Sequence, residues 1–249
     1  MSERFRPPPH TAPDTALHKL AYAARLLLDF QFRTIHGDMK KFLPGLSGTL
    51  VDVGAGHGPF RHLLRPTATQ YIALDIYGAG HFGYADTHAR RFDGERIPLE
   101  SSSVDHFICT EVLEHVENPL PLVGEMHRIL KPGGNGVITV PWAARYHYIP
   151  YDYHRFTPSR LAAMCSMFSA VTVEPRGTDL TVIVSKVIVA YARLLTPRNS
   201  ALLLITLLPA LVLAPVVGLL VVCGHVSLLL GLGSTDDPLG YTVWVRKHD

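Results

Sequence analysis

A glycine-rich turn is the first segment of this sequence whose residues could do chemistry. After a hydrophobic run comes VDVGAGHG (residues 51–58), with glycines at 54, 56 and 58. Glycines let the backbone turn tightly and let a ligand approach where any Cβ would clash. A helix that begins behind such a turn presents free backbone N–H groups to a polar or anionic ligand. The pattern predicts a ligand-binding loop, with a tight turn that binds nothing as the alternative.

An acidic residue follows at a spacing that suits a ribose. Asp75 closes the next hydrophobic run, YIALDI, 21 residues after Gly54. A carboxylate there can accept hydrogen bonds from both ribose hydroxyls, a feature shared with NAD-binding folds. Asp75 therefore predicts a ligand that contains a nucleoside, without choosing one. The spacing GxGxG departs from the GxGxxG of dinucleotide-binding loops, which argues against an NAD-dependent oxidoreductase.

Histidines and carboxylates cluster after two later hydrophobic runs. His115 follows the first of these runs, while His147, Asp152 and His154 fall in an aromatic-rich segment at 141–159. Histidine suits general-base work near neutral pH. We predict His115, His154 and Asp152 as catalytic groups, with a surface or hydrogen-bonding role as the alternative for each histidine. No HxH or HExxH pattern occurs, so no metal site is expected.

Four segments, in order, resemble a class I S-adenosylmethionine-dependent methyltransferase of the broad bacterial group often labelled type 11. The family's first motif resembles VDVGAGHG, and its ribose-binding strand resembles YIALDI. The stretch that places an acid beside the adenine and forms the fourth strand resembles FDGERIPLESSSVDHFICTEVLEHV. The helix, turn and fifth strand that close the core resemble HRILKPGGNGVITVP. The resemblance covers residues 49–140 and implies S-adenosylmethionine as the cofactor.

The resemblance also implies a role for each residue of the cofactor site. The candidate residues are Asp52, Gly54, Ala55, Gly56, Gly58, Asp75, Ile76, Asp93, Gly94 and Glu111. The glycines would wrap the methionine part, with Asp52 beneath them near its amino group. Asp75 would bind the ribose hydroxyls, Asp93 would face the adenine amino group, and Glu111 would lie close to the sulfonium. Structural roles are the alternative: Asp52 and Glu111 as turn caps, and Asp93 in a turn with Gly94.

Hydrophobic runs alternate with helical spacings along the chain, as in βα units that feed a parallel sheet. Strands are predicted at 49–53, 71–76, 90–92, 106–110, 136–140, 170–174 and 239–246, and helices at 15–36, 58–65, 117–130 and 158–168. We predict an α/β fold: a doubly wound, Rossmann-like, seven-stranded mixed sheet with a C-terminal hydrophobic helical hairpin insertion. Ligands of open α/β sheets bind outside the carboxyl ends of the strands, so the segment 141–159 is expected over the site.

The predicted organisation has four parts. Residues 1–14 carry four prolines and are expected to form a disordered arm. The methyltransferase core follows at 15–175, a hydrophobic membrane-associating insertion at 176–235, and the last strand of the core at 236–249. Within the insertion, 37 consecutive residues (199–235) contain no Asp, Glu, Lys or Arg. Because the strands on both sides of the insertion belong to one sheet, a single membrane crossing is excluded.

The length of the apolar segment limits how it can fold. Thirty-seven helical residues measure roughly 55 Å, enough for two helices of about 15 residues but short of two membrane crossings at ~20 each. Break points are available at Pro209, Pro215, Gly218, Gly224 and Gly231. We predict a re-entrant or interfacial hairpin inside this segment, with basic flanks on the cytoplasmic side. A buried hairpin that caps the sheet or forms a dimer interface is the alternative.

Charge in the stretch before the apolar segment recurs every seven residues, at Asp179, Lys186 and Arg193. A narrow polar stripe on an otherwise apolar helix is typical of a helix that lies in the lipid headgroup layer. The segment YDYHRFTPS also resembles a stretch in methyltransferases found among envelope-polysaccharide genes. Both features favour an acceptor at the membrane.

Composition narrows the function further. The chain of 249 residues has 23 basic and 21 acidic side chains, so no basic field attracts nucleic acid. Three well-separated cysteines give no disulfide framework, which fits a reducing compartment. The first residues lack the apolar core of a secretory signal. We predict a cytoplasmic protein associated with the inner face of the cell membrane.

The predicted function is methyl transfer from S-adenosylmethionine, with oxygen favoured over nitrogen or carbon. The expected partners are a small-molecule or lipid-linked acceptor, such as a lipid-linked glycan or an isoprenoid, and the membrane surface through residues 199–235. A homodimer is compatible with the sequence. The alternatives are a non-catalytic membrane-anchored interaction module and an NAD-dependent oxidoreductase.

Overall fold

One mixed sheet forms the centre of the molecule. The computed structural model describes residues 8–66, 69–84, 88–197 and 199–249. Its strands are β1 Gly48–Val53, β2 Thr69–Ile76, β3 Arg90–Phe92, β4 Val104–Thr110, β5 Leu130–Pro141, β6 Ala170–Arg176 and β7 Gly240–Arg246. The strand order is β3-β2-β1-β4-β5-β7-β6. Strands β1 to β5 run parallel, and β7 is antiparallel to both of its neighbours. The predicted fold class is confirmed.

Helices cover both faces of this sheet. They are α1 Ala16–Leu28, α2 Phe30–Phe42, α3 Pro119–Ile129, α4 Pro158–Met164, α5 Asp179–Leu195 and α6 Ser200–Leu230. On one face, Phe107 of β4 shares a hydrophobic cluster with Met126 of α3 and Leu161 of α4. On the other face, Leu50 of β1 shares a cluster with Met39 of α2. Burial on both faces is what a parallel sheet with βα crossovers requires.

The leading helix predicted over 15–36 is two helices, α1 and α2. Asp29 separates them, because its backbone N–H donates to the Arg25 carbonyl oxygen at 2.8 Å and so closes α1. Its side-chain Oδ1 accepts a hydrogen bond from the Phe32 N–H at 3.0 Å, which caps α2. An aspartate with non-helical backbone angles is a favourable N-cap. The periodic apolar pattern continues through this break, so periodicity alone did not indicate it.

The helix predicted over 58–65 is a single 3₁₀ turn, Arg61–Leu63. Pro66 accounts for the difference, because its ring disfavours the α conformation at Arg65 and it has no N–H to continue a helix. Only the six residues between Gly58 and Arg65 are then left to form a helix. The prediction that a helix N-terminus stands behind the glycine turn is therefore wrong.

The hydrophobic insertion is a hairpin of two antiparallel helices, α5 and α6. The Tyr191 hydroxyl donates to the Ala210 carbonyl oxygen at 3.2 Å near the tip of the hairpin. The hydroxyls of Thr178 and Ser227 lie 3.0 Å apart near its base. The chain therefore leaves the sheet after β6 and returns to it at β7, which agrees with the topology that the sequence required.

The position of the hairpin turn differs from the prediction. The chain turns between Leu195 and Ser200, and α6 continues through Pro209 and Pro215. From Leu207 to Gly224 the sequence holds no Ser, Thr, Asp or Asn that could cap a new helix end. The helix ends only at Gly231, whose φ of +64° is the left-handed conformation of a C-terminal cap.

Helix α6 exposes most of its apolar surface. Leu202–Leu230 is long and apolar enough to cross a membrane by length and composition, and it is the one such helix among the described residues. Its most apolar window is only 11% buried. The alternative of a hairpin buried against its own sheet is therefore not what this chain forms.

Residues 8–14 of the predicted arm lie against the body of the protein, while residues 1–7 lie outside the described ranges. Thr11 forms an isolated parallel bridge with His57 of the glycine turn. The His10 N–H donates to the Tyr84 hydroxyl at 3.2 Å, and its ring centroid lies 4.9 Å from that of Phe32. This part of the arm borders the site described next.

Candidate active site

A cavity of about 1680 Å³ lies at the carboxyl ends of the parallel strands. One set of lining residues, here called the glycine end, comprises residues 53–56, 75–76 and 92–94. A second set, here called the helix end, comes from α1, α5, residues 143–145 and residues 147–148. Ligands of open α/β sheets bind at this edge of the sheet. Eight of the ten predicted cofactor residues line the cavity; Asp52 and Gly58 do not.

The backbone of the glycine turn requires glycine. Gly54, Gly56 and Gly58 have φ angles of +74°, +51° and +59°. A Cβ on Gly54 would lie 2.4 Å from a methyl group of Val112, and one on Gly56 would lie 2.8 Å from the ring of Tyr84. The turn is therefore held open in a conformation that side chains would both strain and fill.

Asp75 ends β2 at the glycine end. Its Oδ2 accepts a hydrogen bond from the Gly56 N–H at 3.1 Å, and its Oδ1 accepts one from the Ile76 N–H at 2.8 Å. Burial raises the pKa of this carboxyl, and the two N–H groups oppose that rise. Each carboxylate oxygen retains acceptor capacity for a ligand hydroxyl. Asp75 is thus fixed in place and equipped to accept from a ribose.

Asp52 lies beneath the turn rather than in the cavity wall. It is 2% exposed, and the Tyr71 hydroxyl donates to its Oδ2 at 2.6 Å. Its Oδ1 is buried without a hydrogen-bond partner among the described residues. Burial raises its pKa to about 7. A buried acceptor without a partner is one that a ligand's amino group or a water could satisfy.

Asp93 follows β3 and lines the cavity beside Gly94. Its Oδ1 accepts hydrogen bonds from the N–H groups of Glu95 and Arg96, both at 2.9 Å. Those bonds lower the pKa of this exposed carboxyl. The turn that the sequence offered as an alternative is therefore present, and it aligns Asp93 at the cavity.

Glu111 ends β4 with a left-handed φ of +54°. Its Oε1 accepts from Arg176 at 2.8 Å and from the Thr139 hydroxyl at 3.0 Å, and its Oε2 accepts from the Gln31 amide at 2.9 Å. Such backbone strain costs on the order of 1–3 kcal/mol and persists only where the surroundings enforce it. Sequence reasoning missed Arg176 and Gln31, because no local pattern links them to a residue 65 or more positions away.

His115 is the one predicted catalytic residue that lines the cavity. Its Nδ1 lies 2.6 Å from the Tyr151 carbonyl oxygen, so Nδ1 carries the proton and donates it. Burial lowers the pKa of His115 to about 4, which keeps the ring neutral near pH 7. Its Nε2 therefore offers a lone pair.

Asp152 and His154 lie outside the cavity lining. Arg155 donates to both oxygens of Asp152, at 2.6 and 2.8 Å. Burial alone would raise the pKa of Asp152, but the bonds from Arg155 and His147 outweigh it and hold that pKa well below its usual range. The Nε2 of His154 lies 3.0 Å from the Val116 carbonyl oxygen. These positions give both residues structural contacts and do not support their predicted catalytic roles.

The polar stripe of α5 is also placed differently from its prediction. Lys186 and Arg193 line the helix end of the cavity, where Arg25 of α1 and Arg145 also contribute. The Lys186 ammonium donates to the Ala143 carbonyl oxygen. The stripe expected to meet lipid headgroups therefore contributes cationic side chains to the cavity.

Comparison with known sequences identifies the domain. Residues 51–138 match a family described as a methyltransferase domain. The chain thus contains a methyltransferase domain at these residues. An uncharacterized methyltransferase of Mycobacterium avium is 31% identical over 126 residues, which are 48% of each chain. Methyltransferase AacuQ of Aspergillus aculeatus is 31% identical over 145 residues, 55% of this chain and 41% of that one. The chain thus spans about half the length of the relatives it matches.

Two solved structures share the fold of this methyltransferase domain. Phosphoethanolamine N-methyltransferase 2 of Haemonchus contortus, solved with S-adenosyl-L-methionine, is 15% identical with a TM-score of 0.52, over 95% of this chain and 59% of that one. The [4+2]-cyclase SpnF is 14% identical with a TM-score of 0.50, over 98% and 99%. At such identities the likeness concerns the fold alone.

S-adenosylmethionine is the cofactor that the sequence motifs imply for this methyltransferase domain, and the glycine end fits it. The turn leaves open the space that a Cβ at Gly54 or Gly56 would fill. Asp75 presents a fixed pair of acceptors, and Asp52 keeps one buried acceptor unsatisfied below the turn. The match sets aside the alternative of an NAD-dependent oxidoreductase.

Proposed function

We propose that the protein transfers a methyl group from S-adenosylmethionine to an oxygen atom of a membrane- or envelope-associated acceptor, such as a lipid-linked glycan or an isoprenoid. The observation that carries the proposal is one cavity that joins the glycine end to apolar and cationic groups on α1 and α5. Its volume of about 1680 Å³ exceeds the roughly 300–1,000 Å³ of a single small-molecule pocket. There is room for a cofactor and an acceptor together.

In this reaction the main task of the protein is to align the methyl donor with the acceptor atom. The cofactor supplies a methyl group on a sulfonium that carries its own leaving group. Holding an acceptor in line with such a group contributes roughly 7–11 kcal/mol at best. Among the predicted catalytic residues, His115 lines the cavity, and its Nε2 carries a lone pair toward which an acceptor hydroxyl can donate.

The helix end supports an amphiphilic acceptor with an anionic group. Its lining combines apolar side chains, among them Leu28 and Ile188, with the cationic groups of Arg25 and Lys186. Apolar surface binds a hydrocarbon chain, and ammonium and guanidinium groups bind phosphate. A lipid-linked acceptor presents both chemistries.

The exposed apolar surface of α6 supports association of the protein with a membrane. Leu204, Leu208 and Leu211 are 82%, 68% and 62% exposed. Since both ends of the hairpin return to one sheet, we propose that it enters one leaflet from the cytoplasmic side. Confinement at that surface would raise the local concentration of a lipid-anchored acceptor.

Calorimetric titration of the full chain with S-adenosylhomocysteine tests the donor half of the proposal. We expect tight binding that is lost in Asp75→Ala, with no heat from NAD. A folded wild-type chain that binds no S-adenosylhomocysteine, with or without lipid vesicles, would overturn the proposal and favour the non-catalytic anchoring module.

Vesicle flotation with bacterial phospholipids tests the membrane half. The double substitution Leu204→Glu with Leu208→Glu places charge on exposed positions near the hairpin tip, so we expect it to abolish flotation. Leu120→Glu is the matched control, since Leu120 is an exposed leucine of α3 (43%). If the double variant floats with the vesicles as well as the wild type does, the proposed insertion of α6 into lipid is contradicted. Light scattering measures the oligomeric state of the same samples. If the wild type and Leu120→Glu are dimers and the double variant is a monomer, α6 forms an interface with a second copy of the chain. Efficient methylation of a soluble small molecule, with no gain from lipid, would contradict the lipid-linked acceptor.

A further inference from the structure

Three side chains of metal-ligand type meet in the cavity wall. One ligand atom from each of Glu114, His115 and His147 lies within 4.8 Å of the other two. His115 Nε2 lies 3.6 Å from Glu114 Oε1, which is too long for a hydrogen bond. Two ligands of one metal ion, each about 2.1 Å from it, are separated by roughly 3.4 Å in a tetrahedral site. The Glu114–His115 pair thus has the spacing of two ligands to one ion.

The two imidazoles are oriented as metal ligands are. The Nδ1 of His115 faces the Tyr151 carbonyl oxygen at 2.6 Å. The Nδ1 of His147 faces Asp152 Oδ2 and the Arg145 carbonyl oxygen, both at 2.9 Å. Since each Nδ1 meets only acceptors, it carries the proton, and the lone pair is left on Nε2. Metal-binding histidines are commonly oriented in this way by a carbonyl or a carboxylate.

Glu114 supplies a second and independent observation. Its side chain is fully buried, and neither carboxylate oxygen has a hydrogen-bond partner among the described residues. Its backbone is held firmly, because its carbonyl oxygen accepts from the Tyr153 N–H at 2.8 Å. An unpaired buried carboxylate is strongly unfavourable, and buried charges are normally paired or coordinate a metal.

We propose that Glu114, His115 and His147 bind one divalent metal ion of the Zn²⁺ type. Two imidazoles and a carboxylate are a ligand set that holds Zn²⁺ while leaving a coordination position open. Closing the cluster from 4.8 Å requires side-chain shifts of about 1 Å. Asp152 acts here as a positioning residue, since it orients His147 and is itself held by Arg155.

The ion would have a role in the proposed reaction, and that role rests on the proposed function. All three ligands line the cavity, so the open position can take the acceptor oxygen. A metal-bound hydroxyl loses its proton at a lower pH than a free one. That oxygen would then form the new O–CH₃ bond as the S–CH₃ bond breaks, its proton would pass to solvent, and the electron pair would remain on sulfur. With the ion bound, His115 acts as a ligand and not as the base.

Titration of the untagged, chelator-treated full chain with Zn²⁺ alone tests the site. We expect one Zn²⁺ per chain and at least tenfold weaker binding in both Glu114→Gln and His147→Ala. Glu114→Gln keeps the side-chain volume and removes a buried charge, so it should fold. His248→Ala is the matched control, because it removes an exposed imidazole far from the cluster in sequence. Visible absorption of Co²⁺ in the same site should report nitrogen and oxygen ligands in the wild type and should be lost in His147→Ala.

Each outcome decides the proposal. No Zn²⁺ binding by the folded wild type, or equal binding in wild type and both variants, would overturn it. Titration of the same samples with S-adenosylhomocysteine keeps the two proposals apart. Retained cofactor binding without a metal would reject the metal site alone. Metal binding without cofactor binding would reject the proposed function alone.

Discussion

The two ends of the cavity are assembled from different parts of the chain. The glycine end comes from one part of the chain, between residues 53 and 94, and its lining residues lie at or just after the ends of β1, β2 and β3. The helix end combines α1 and α5, more than 150 positions apart, with residues 143–145 and 147–148. At the glycine end the polar groups are carboxylates, and those of Asp75 and Asp93 are held in place by backbone N–H groups. At the helix end they are long side chains on separate helices.

Because of this difference, the two ends tolerate amino-acid substitutions to different extents. A turn that needs positive φ angles and close approach admits almost no substitution, because a single methyl group strains and fills it. A wall of side chains can change its ligand by exchanging individual residues, while the helices stay in place. The glycine end is thus suited to a constant cofactor and the helix end to a particular acceptor.

The largest expected effect comes from a glycine-to-alanine substitution at the glycine end, compared with the same substitution in α6. Gly54→Ala places a Cβ 2.4 Å from Val112 at a φ of +74°, so the turn must shift. We expect affinity for S-adenosylhomocysteine to fall at least ~100-fold in calorimetry. Gly218→Ala is the control, because no atom of the described residues lies within 4 Å of the Cβ that alanine would add there. It should leave affinity unchanged and stabilise the helix by about 0.5–1 kcal/mol. Equal affinity in Gly54→Ala and wild type would show that the turn does not hold the cofactor.

The same contrast explains which features the sequence could predict. The strands, the glycine turn and Asp75 depend on local patterns. The pairing of Glu111 with Arg176 depends on tertiary structure, as does the meeting of Glu114 with His147. The break at Asp29 needed a capping interaction that hydrophobic periodicity does not show.

The next effect concerns the ion pair of Glu111 with Arg176. Arg176 is 3% exposed, and Glu111 is its carboxylate partner. Glu111→Gln removes the charge and leaves a buried guanidinium unpaired, so we expect a loss of about 2–4 kcal/mol in the free energy of unfolding. Denaturant unfolding measures it. Glu117→Gln, at an exposed position nearby, should change stability by under ~0.5 kcal/mol. Equal stability of Glu111→Gln and wild type would mean that the strained φ at Glu111 is not maintained by Arg176.

A smaller effect should appear in the pH dependence of stability. Burial raises the folded-state pKa of Asp52 to about 7 from an ordinary value of 3.8. The folded chain therefore binds this proton more tightly than the unfolded chain. The stability that this group contributes is complete below pH 3.8 and is lost as pH rises through 7. Asp52→Asn cannot ionise, so it should be more stable than wild type at pH 8, by less than the ~4 kcal/mol that the full pKa shift corresponds to, and the difference should shrink toward pH 4.

Asp105 provides a control with the opposite sign. Burial acts to raise its pKa, but hydrogen bonds from Lys131 and the Thr49 N–H prevail and lower it. The stability that this group contributes is present above the ordinary pKa and is lost as pH falls. Asp105→Asn should therefore be less stable than wild type at pH 7, with a difference that fades in acid. Parallel pH profiles for the two variants would contradict both assignments.

The smallest expected effect belongs to the helix end. Lys186→Met removes one ammonium from the cavity wall and keeps the apolar stem of the side chain. If the acceptor carries an anionic group, KM for methyl transfer into membrane lipid should rise about fivefold, since a single partly exposed charge pair contributes roughly 1 kcal/mol. Affinity for S-adenosylhomocysteine should not change, because the glycine end contains no part of α5. Lys40→Met on exposed α2 surface is the matched control. A loss of cofactor affinity in Lys186→Met would mean that the two ends do not act independently.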